Sequence, residues 1–204
     1  KAGAGRPSSA KILLYSVDFS EIERCQAEGD WEKSGDILAS AAESLEKAGA
    51  DFLVIATNTM HKVVPQIQKR IHIPIVHVAE VTAEELKQNH ITTVALLGTK
   101  YTMTQEFYKE KLENAGITVL IPEAREIEAV NSIIYDELCL GSILKASKER
   151  YLQIIEGLKN RGAQGVILGC TEIGLLIRQE DTELPVFDTT KIHAVKAAKL
   201  SLEV

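Results

Sequence analysis

Short apolar runs rich in β-branched residues alternate along this chain with amphipathic helical stretches. The strand-like runs are KILLYS (Lys11 to Ser16), DFLVIA (Asp51 to Ala56), PIVHV (Pro74 to Val78), TTVALLG (Thr92 to Gly98), ITVLIP (Ile117 to Pro122), GVILG (Gly165 to Gly169) and PVFD (Pro185 to Asp188). They lack period-2 polarity, as parallel strands buried on both faces do. Between them, Ser34 to Lys47 carries Ile37, Leu38, Ala41, Ala42 and Leu45 on one stripe, the spacing of a helix that covers a sheet. The pattern predicts an α/β fold of parallel sheets flanked by helices.

An internal repeat divides the chain. Ala48 to Thr59 reads AGADFLVIATNT and Arg161 to Glu172 reads RGAQGVILGCTE, and one constant offset sets Gly49 on Gly162, Ala50 on Ala163, Thr57 on Cys170 and Asn58 on Thr171. The same offset carries Leu38, Ala41 and Leu45 onto Tyr151, Ile154 and Leu158, and farther on Ile73-Pro74-Ile75-Val76 is echoed by Leu184-Pro185-Val186-Phe187. Each copy reads as helix, Gly-Ala turn, buried strand and a small polar triplet that opens the next helix, so we expect two similar halves. The boundaries read as a first domain over 1–82, a second over 83–188 and a last helix, 189–204, returning to the first domain. Before ITVLIP the second half has a strand and a helix (Thr92 to Ala115), whereas KILLYS is preceded only by KAGAGRPSSA. The repeat therefore predicts that the first half lacks an opening βα unit and that Lys1 to Ala10 is an unstructured leader.

Composition narrows the function. The 204 residues carry Lys+Arg 23 against Asp+Glu 29, a net charge of −6, with the signs interspersed. Such a surface has no positive field to collect phosphates, so nucleic acid and anionic membrane are poor partners. No apolar run reaches the ~20 residues of a membrane span and the start lacks the apolar core of a signal peptide, so we expect a cytoplasmic protein. Cys25, Cys139 and Cys170 are odd in number and widely spaced, which fits neither a disulfide framework nor a zinc site; no metal is expected.

The two triplets are the candidate chemistry. Thr57-Asn58-Thr59 and Cys170-Thr171-Glu172 each place small polar side chains where a strand meets a helix, a setting that suits a carboxylate. Two such halves packed about a pseudo-twofold axis would point both strand ends into one cleft, with Thr57 and Cys170 on opposite sides of a small substrate. Opposed acid/base groups are what removal of a proton from one face of a carbon and its return to the other require. A cysteine pKa near ~8.5, lowered by a helix N-terminus, would supply thiolate at neutral pH. Thr57 is a poor base and needs a neighbour or the substrate to activate it. The blander reading stays open: Thr57 as a helix cap and Cys170 as a small core residue. His61 would lie one turn beyond Thr57 and could orient polar groups there; His77, His193, Cys25 and Cys139 read as structural or solvent-facing.

With ATNTMH at 56–61 and GCTEIGLL at 169–176, the chain resembles the aspartate/glutamate racemase superfamily of cofactor-independent amino-acid racemases. SVDFSEIERCQAEGDW, GDILASAA, ALLGTKYTMTQEFY, YDELCLG and FDTTKIHA look like its broad-specificity or L-aspartate/L-glutamate-specific branch. The resemblance implies two pseudo-symmetric α/β domains about a cleft, often as a homodimer, an amino-acid substrate and no pyridoxal or other cofactor. It implies that Thr57 and Cys170 form the acid/base pair. It also implies that Gln26, in the loop after SVDF, Asn58, Thr59, Thr171 and Glu172 bind substrate. Two departures are visible: many relatives carry a lysine near ELCLG, and the family opens with a strand and a glycine-rich loop where this chain has KAGAGRPSSA. These departures keep two alternatives in view, an inactive carboxylate-binding or assembly protein and a one-cysteine decarboxylase or isomerase.

Overall fold

The computed structural model describes residues 9–203. The chain forms two compact units: one holds the described residues through Ile55 together with Lys62–Val76 and the chain from Ala194 onward, and the other holds Ala56–His61 and His77–His193.

In the first unit, helices α1 (Phe19–Glu28) and α2 (Trp31–Lys47) are capped by Asp18 and Asp30, whose carboxylates accept the backbone N–H groups of Ser20 and Lys33. Such caps satisfy donors that a helix start leaves open. Strands β1 (Leu53–Val54) and β2 (Ile75–Val76) pair in parallel, and α3 (Val64–Gln68) lies between them in sequence with Pro65 in its first turn, where a missing N–H costs nothing. The expected Lys11–Ser16 strand does not form. Those residues pair with nothing in a sheet, and Ile12 and Leu14 are 82% and 87% exposed. An apolar run becomes a strand only when a neighbour accepts its backbone hydrogen bonds, and β1 pairs only with β2 among the described residues. The expected leader lies, apart from Ser9 and Ala10, outside the described residues.

The second unit contains a four-stranded parallel sheet, β4 (Thr118–Leu120), β3 (Thr93–Gly98), β5 (Val166–Gly169) and β6 (Val186–Asp188), in that spatial order. Ala95 pairs with Val166, Leu96 with Ile167 and Leu97 with Leu168. Since alternate residues face opposite ways, this register feeds two cores. Ala95, Leu97, Val166 and Leu168 join Tyr151, Ile154, Ile155 and Leu158 of α8 (Lys145–Asn160). Val94, Leu96, Ile167 and Phe187 join Leu86 of α4 (Val78–Gln88) with Tyr108 and Leu112 of α6 (Glu106–Asn114). The remaining helices of the unit are α5 (Lys100–Thr104), α7 (Ala124–Ser132), α9 (Ile173–Leu176) and the start of α10 (Thr189–Leu200).

The sequence repeat is reproduced bond for bond. Gly49 and Gly162 both adopt positive φ, 93° and 100°, a conformation open to glycine at no steric cost. In each copy the next alanine donates back into its helix, Ala50 to Leu45 and Ala163 to Leu158, both at 3.1 Å, the hydrogen-bonded helix stop of a Schellman motif. Each following strand then begins with a donation to a proline carbonyl, Leu53 to Pro74 and Val166 to Pro185, both at 2.9 Å.

The β3–β5 junction is a tight point. A Cβ on Gly98 would lie 2.9 Å from the Gly169 carbonyl oxygen, whereas one on Gly157 of α8 meets nothing within 4 Å. Gly98→Ala should therefore lower stability by about 1–3 kcal/mol, while Gly157→Ala should raise it by about 0.4–1 kcal/mol. Urea denaturation of both variants checks this pair; equal effects would refute the crowding argument.

Candidate active site

Both polar triplets belong to the second unit. Thr57 is exposed and Asn58 buried, and Thr59 begins a short 3₁₀ turn, Thr59–Val63, ahead of α3. Cys170 follows β5 directly, and α9 after it has only four residues. Neither triplet opens a long helix, so the macrodipole expected to assist an anion or a thiolate is small.

The Cys170 thiol runs against expectation. Its Sγ donates to Glu172 Oε2 at 2.9 Å. Burial, the neighbouring Glu172 charge and that hydrogen bond push the thiol well above its ordinary range, because each favours the neutral form. Cys170 is therefore a protonated acid at neutral pH with a proton acceptor in contact, not a standing thiolate.

Asn58 is tied to the strand that carries Cys170. Its Nδ2 donates to Thr189 Oγ1 at 3.0 Å, and the Thr189 hydroxyl donates to the Leu168 carbonyl at 2.8 Å, two residues before Cys170. Thr59 Oγ1 lies 3.1 Å from Thr99 Oγ1, which in turn lies 3.2 Å from Thr102 Oγ1, a buried chain of hydroxyls. Thr171 is exposed and Glu172 half-buried. Gln26 belongs to the first unit, where it is buried on α1 rather than carried by a loop. Among the other cysteines, Cys25 is buried and Cys139 exposed, and all three are free.

A histidine cluster lies beneath Thr57. The rings of His61, His77 and His193 are buried, with His61 centred 4.7 Å from His77 and 5.6 Å from His193. His61 Nε2 accepts the Val78 N–H at 3.2 Å, so the ring proton is on Nδ1, which donates to the Thr57 carbonyl at 2.8 Å. His77 caps α4, its Nδ1 accepting the Ala79 N–H at 3.2 Å. Burial, then the neighbouring His77 and His193, lowers His61 to about 3; burial, then Lys111 and His193, lowers His77 to about 4. The spacing of His61 from Thr57 signalled the carbonyl contact, but separations of 16 residues or more along the chain hid the three-ring cluster. Among the described residues no group of three His, Cys, Asp or Glu side chains is placed to hold a metal ion, and no helix is long and apolar enough to cross a membrane.

Two measurements follow from these charges. An unfolded histidine titrates near 6.5 and the folded His61 and His77 near 3 and 4, so the unfolded chain binds more protons across that interval. Their stabilisation is complete above pH 6.5 and is lost as pH falls, by up to about 1.4 kcal/mol per pH unit for each ring. His77→Asn, which keeps a capping acceptor, should flatten the urea stability profile between pH 6.5 and 5; an unchanged slope would exclude His77 as a contributor. Separately, Glu172→Gln removes a charge that holds the Cys170 proton, so the midpoint of iodoacetamide alkylation at Cys170 should move to lower pH. An unmoved midpoint would contradict that electrostatic coupling.

Comparison with known proteins agrees with the α/β fold of parallel sheets flanked by helices. A candidate Asp/Glu racemase from Yersinia pestis superposes with a TM-score of 0.91 at 50% identity over 98% of this chain and 87% of that one. An aspartate racemase homologue from Pyrococcus horikoshii OT3 gives 0.81 at 40% identity, over 93% and 83%. The broad specificity amino-acid racemase RacX of Bacillus subtilis (strain 168) is 25% identical over 153 residues, 75% of this chain and 66% of that protein. The chain thus spans about two thirds of that curated relative's length. The family model for Asp/Glu/Hydantoin racemases matches residues 1–197, and the chain belongs to that family.

Proposed function

We propose that the protein is a cofactor-independent amino-acid racemase, acting on aspartate, glutamate or a broader set of amino acids, with Cys170 and Thr57 as its two acid/base groups. The observation that carries this reading is the Cys170–Glu172 contact: a proton donor at a strand end, with a carboxylate positioned to take its proton or return it.

In the inverting step the α-proton leaves towards Thr57 while its electron pair stays on the α-carbon. Cys170 Sγ delivers its own proton to the opposite face and is left as a thiolate. Thr57 cannot hold the incoming proton as a neutral alcohol, so its hydroxyl hydrogen passes to the substrate carboxylate in the same step. The reverse direction runs these transfers backwards: Cys170 first passes its proton by way of Glu172 to the substrate carboxylate, the thiolate takes the α-proton, and Thr57 gives its hydroxyl hydrogen to the other face while recovering one from the carboxyl group. Starting from a protonated thiol, the two directions have different barriers. Asn58, Thr59, Thr171 and Glu172 complete the proposed substrate contacts, and a homodimer is the proposed assembly. The protonated thiol also favours a second reading, a one-cysteine decarboxylase or isomerase, which needs a single proton donor.

Incubation with L-aspartate, L-glutamate and a panel of other amino acids in D₂O separates these readings. Racemisation places deuterium at the α-carbon and yields D-product; decarboxylation releases CO₂ and isomerisation changes a C=C absorbance. Cys170→Ser should reduce α-exchange by about 10²-fold or more, and Thr57→Ala should reduce D-product. Folded wild-type chain that exchanges no α-proton on any substrate would overturn the racemase reading.

A further inference from the structure

The buried imidazole of His61 takes part in no step of the proposed chemistry, yet it joins one of the two proposed acid/base residues to the core of the second unit. Thr57 is exposed and belongs neither to β1 nor to the 3₁₀ turn that starts at Thr59. A residue so placed has no strand ladder or helix of its own to hold its backbone. Its carbonyl instead accepts a hydrogen bond from His61 Nδ1 at 2.8 Å.

The far side of the ring leaves no choice of tautomer. The Val78 N–H, at the start of α4, can only donate, and it meets His61 Nε2 at 3.2 Å. A neutral imidazole that accepts at Nε2 carries its hydrogen on Nδ1, and the Thr57 carbonyl can only accept. His61 is 1% exposed, and burial, then His77 and His193, keeps the ring neutral by lowering it to about 3. Lys111, paired with Glu80 at 2.6 Å, adds positive charge on the His77 side. Val78 and Ala79 are buried in the core that α4 shares with α6 and the sheet. The relay from Val78 through His61 to Thr57 therefore ties an exposed residue to a helix start fixed by packing.

Holding that carbonyl fixes the plane of the peptide after Thr57, and with it the Thr57 ψ angle. We propose that His61 is the positioning residue of Thr57: its Nδ1–H bond aims the Thr57 hydroxyl at the substrate α-carbon, so inversion depends on a ring buried behind the reacting group. The inference rests on the racemase reading with Thr57 as one acid/base group, and adds what holds that group in place. A displacement of about 1 Å costs as much as 10²-fold in such chemistry. Cys170 follows a strand buried along its length and has its own support.

The test compares wild type with His61→Leu and His61→Asn. Leucine fills a similar volume and makes neither bond. Asparagine also loses the Val78 acceptor, but its Nδ2 can donate from near the position of the imidazole Nδ1, so the difference between the variants isolates the Thr57 bond. With an amino acid that wild type racemises, His61→Leu should lower kcat by about tenfold or more in both directions while KM stays within about twofold, and His61→Asn should recover most of the loss. Iodoacetamide alkylation of Cys170 should keep the wild-type midpoint in both variants. Nitrogen NMR of the wild-type histidines should show the His61 ring protonated on Nδ1 and bare on Nε2 at neutral pH, a reading that serves if the variants fail to fold. An unchanged kcat in folded His61→Leu, a loss carried by KM alone, equal losses in folded His61→Leu and His61→Asn, an alkylation midpoint that moves with His61→Leu, or a ring protonated on Nε2 would each overturn the inference. All five leave the racemase reading standing as long as wild type exchanges the α-proton and forms D-product. Folded wild type that exchanges no α-proton on any amino acid overturns that reading and the inference together.

Discussion

Burial of β3 and β5 on both faces is the constraint on which the second unit rests. Val94 through Leu97 and Val166 through Leu168 are all at most 1% exposed, so consecutive side chains must enter opposite cores. A slip of one residue would exchange the two cores entirely. The same register brings Gly98 beside Gly169, where any side chain would meet backbone. The strand end that carries Cys170 is therefore held by packing that the whole unit shares.

Desolvation governs the proton inventory around the triplets. It keeps the Cys170 thiol protonated and His61 and His77 neutral, since each charged form would lose its hydration without full compensation. Neutral imidazoles can accept as well as donate, and His61 does both, joining the Thr57 carbonyl to the Val78 amide. A protonated ring would lose that acceptor. His61 is thus a fixed support for the Thr57 carbonyl.

Most of the sheet was legible from local pattern. Six of the seven apolar runs contain the strands, because a buried parallel strand writes its environment into consecutive residues. The Gly-Ala turns were legible too, since a positive φ at Gly49 and Gly162 restricts the residue type. KILLYS has the same composition and forms no strand, since pairing depends on a neighbour that no run of residues encodes by itself. Gln26 was placed in a loop from its polar surroundings, yet α1 continues through it, started by the Asp18 cap.

The amino-acid sequence by itself determined the α/β class, the repeat and the two polar triplets, all of which rest on short-range chemistry. Tertiary structure decided the charge states and the polarity of the groups around them. Cys170 and Glu172 are two residues apart in sequence, but burial, which only the tertiary structure supplies, is the largest cause of the raised thiol pKa, ahead of the Glu172 charge and hydrogen bond. Asn58 and Thr189 lie in distant parts of the chain, yet their hydrogen bond decides which end of the amide is left to accept. Ionisation and hydrogen-bond direction depend on what surrounds an atom in space, and that is settled only when remote segments pack together.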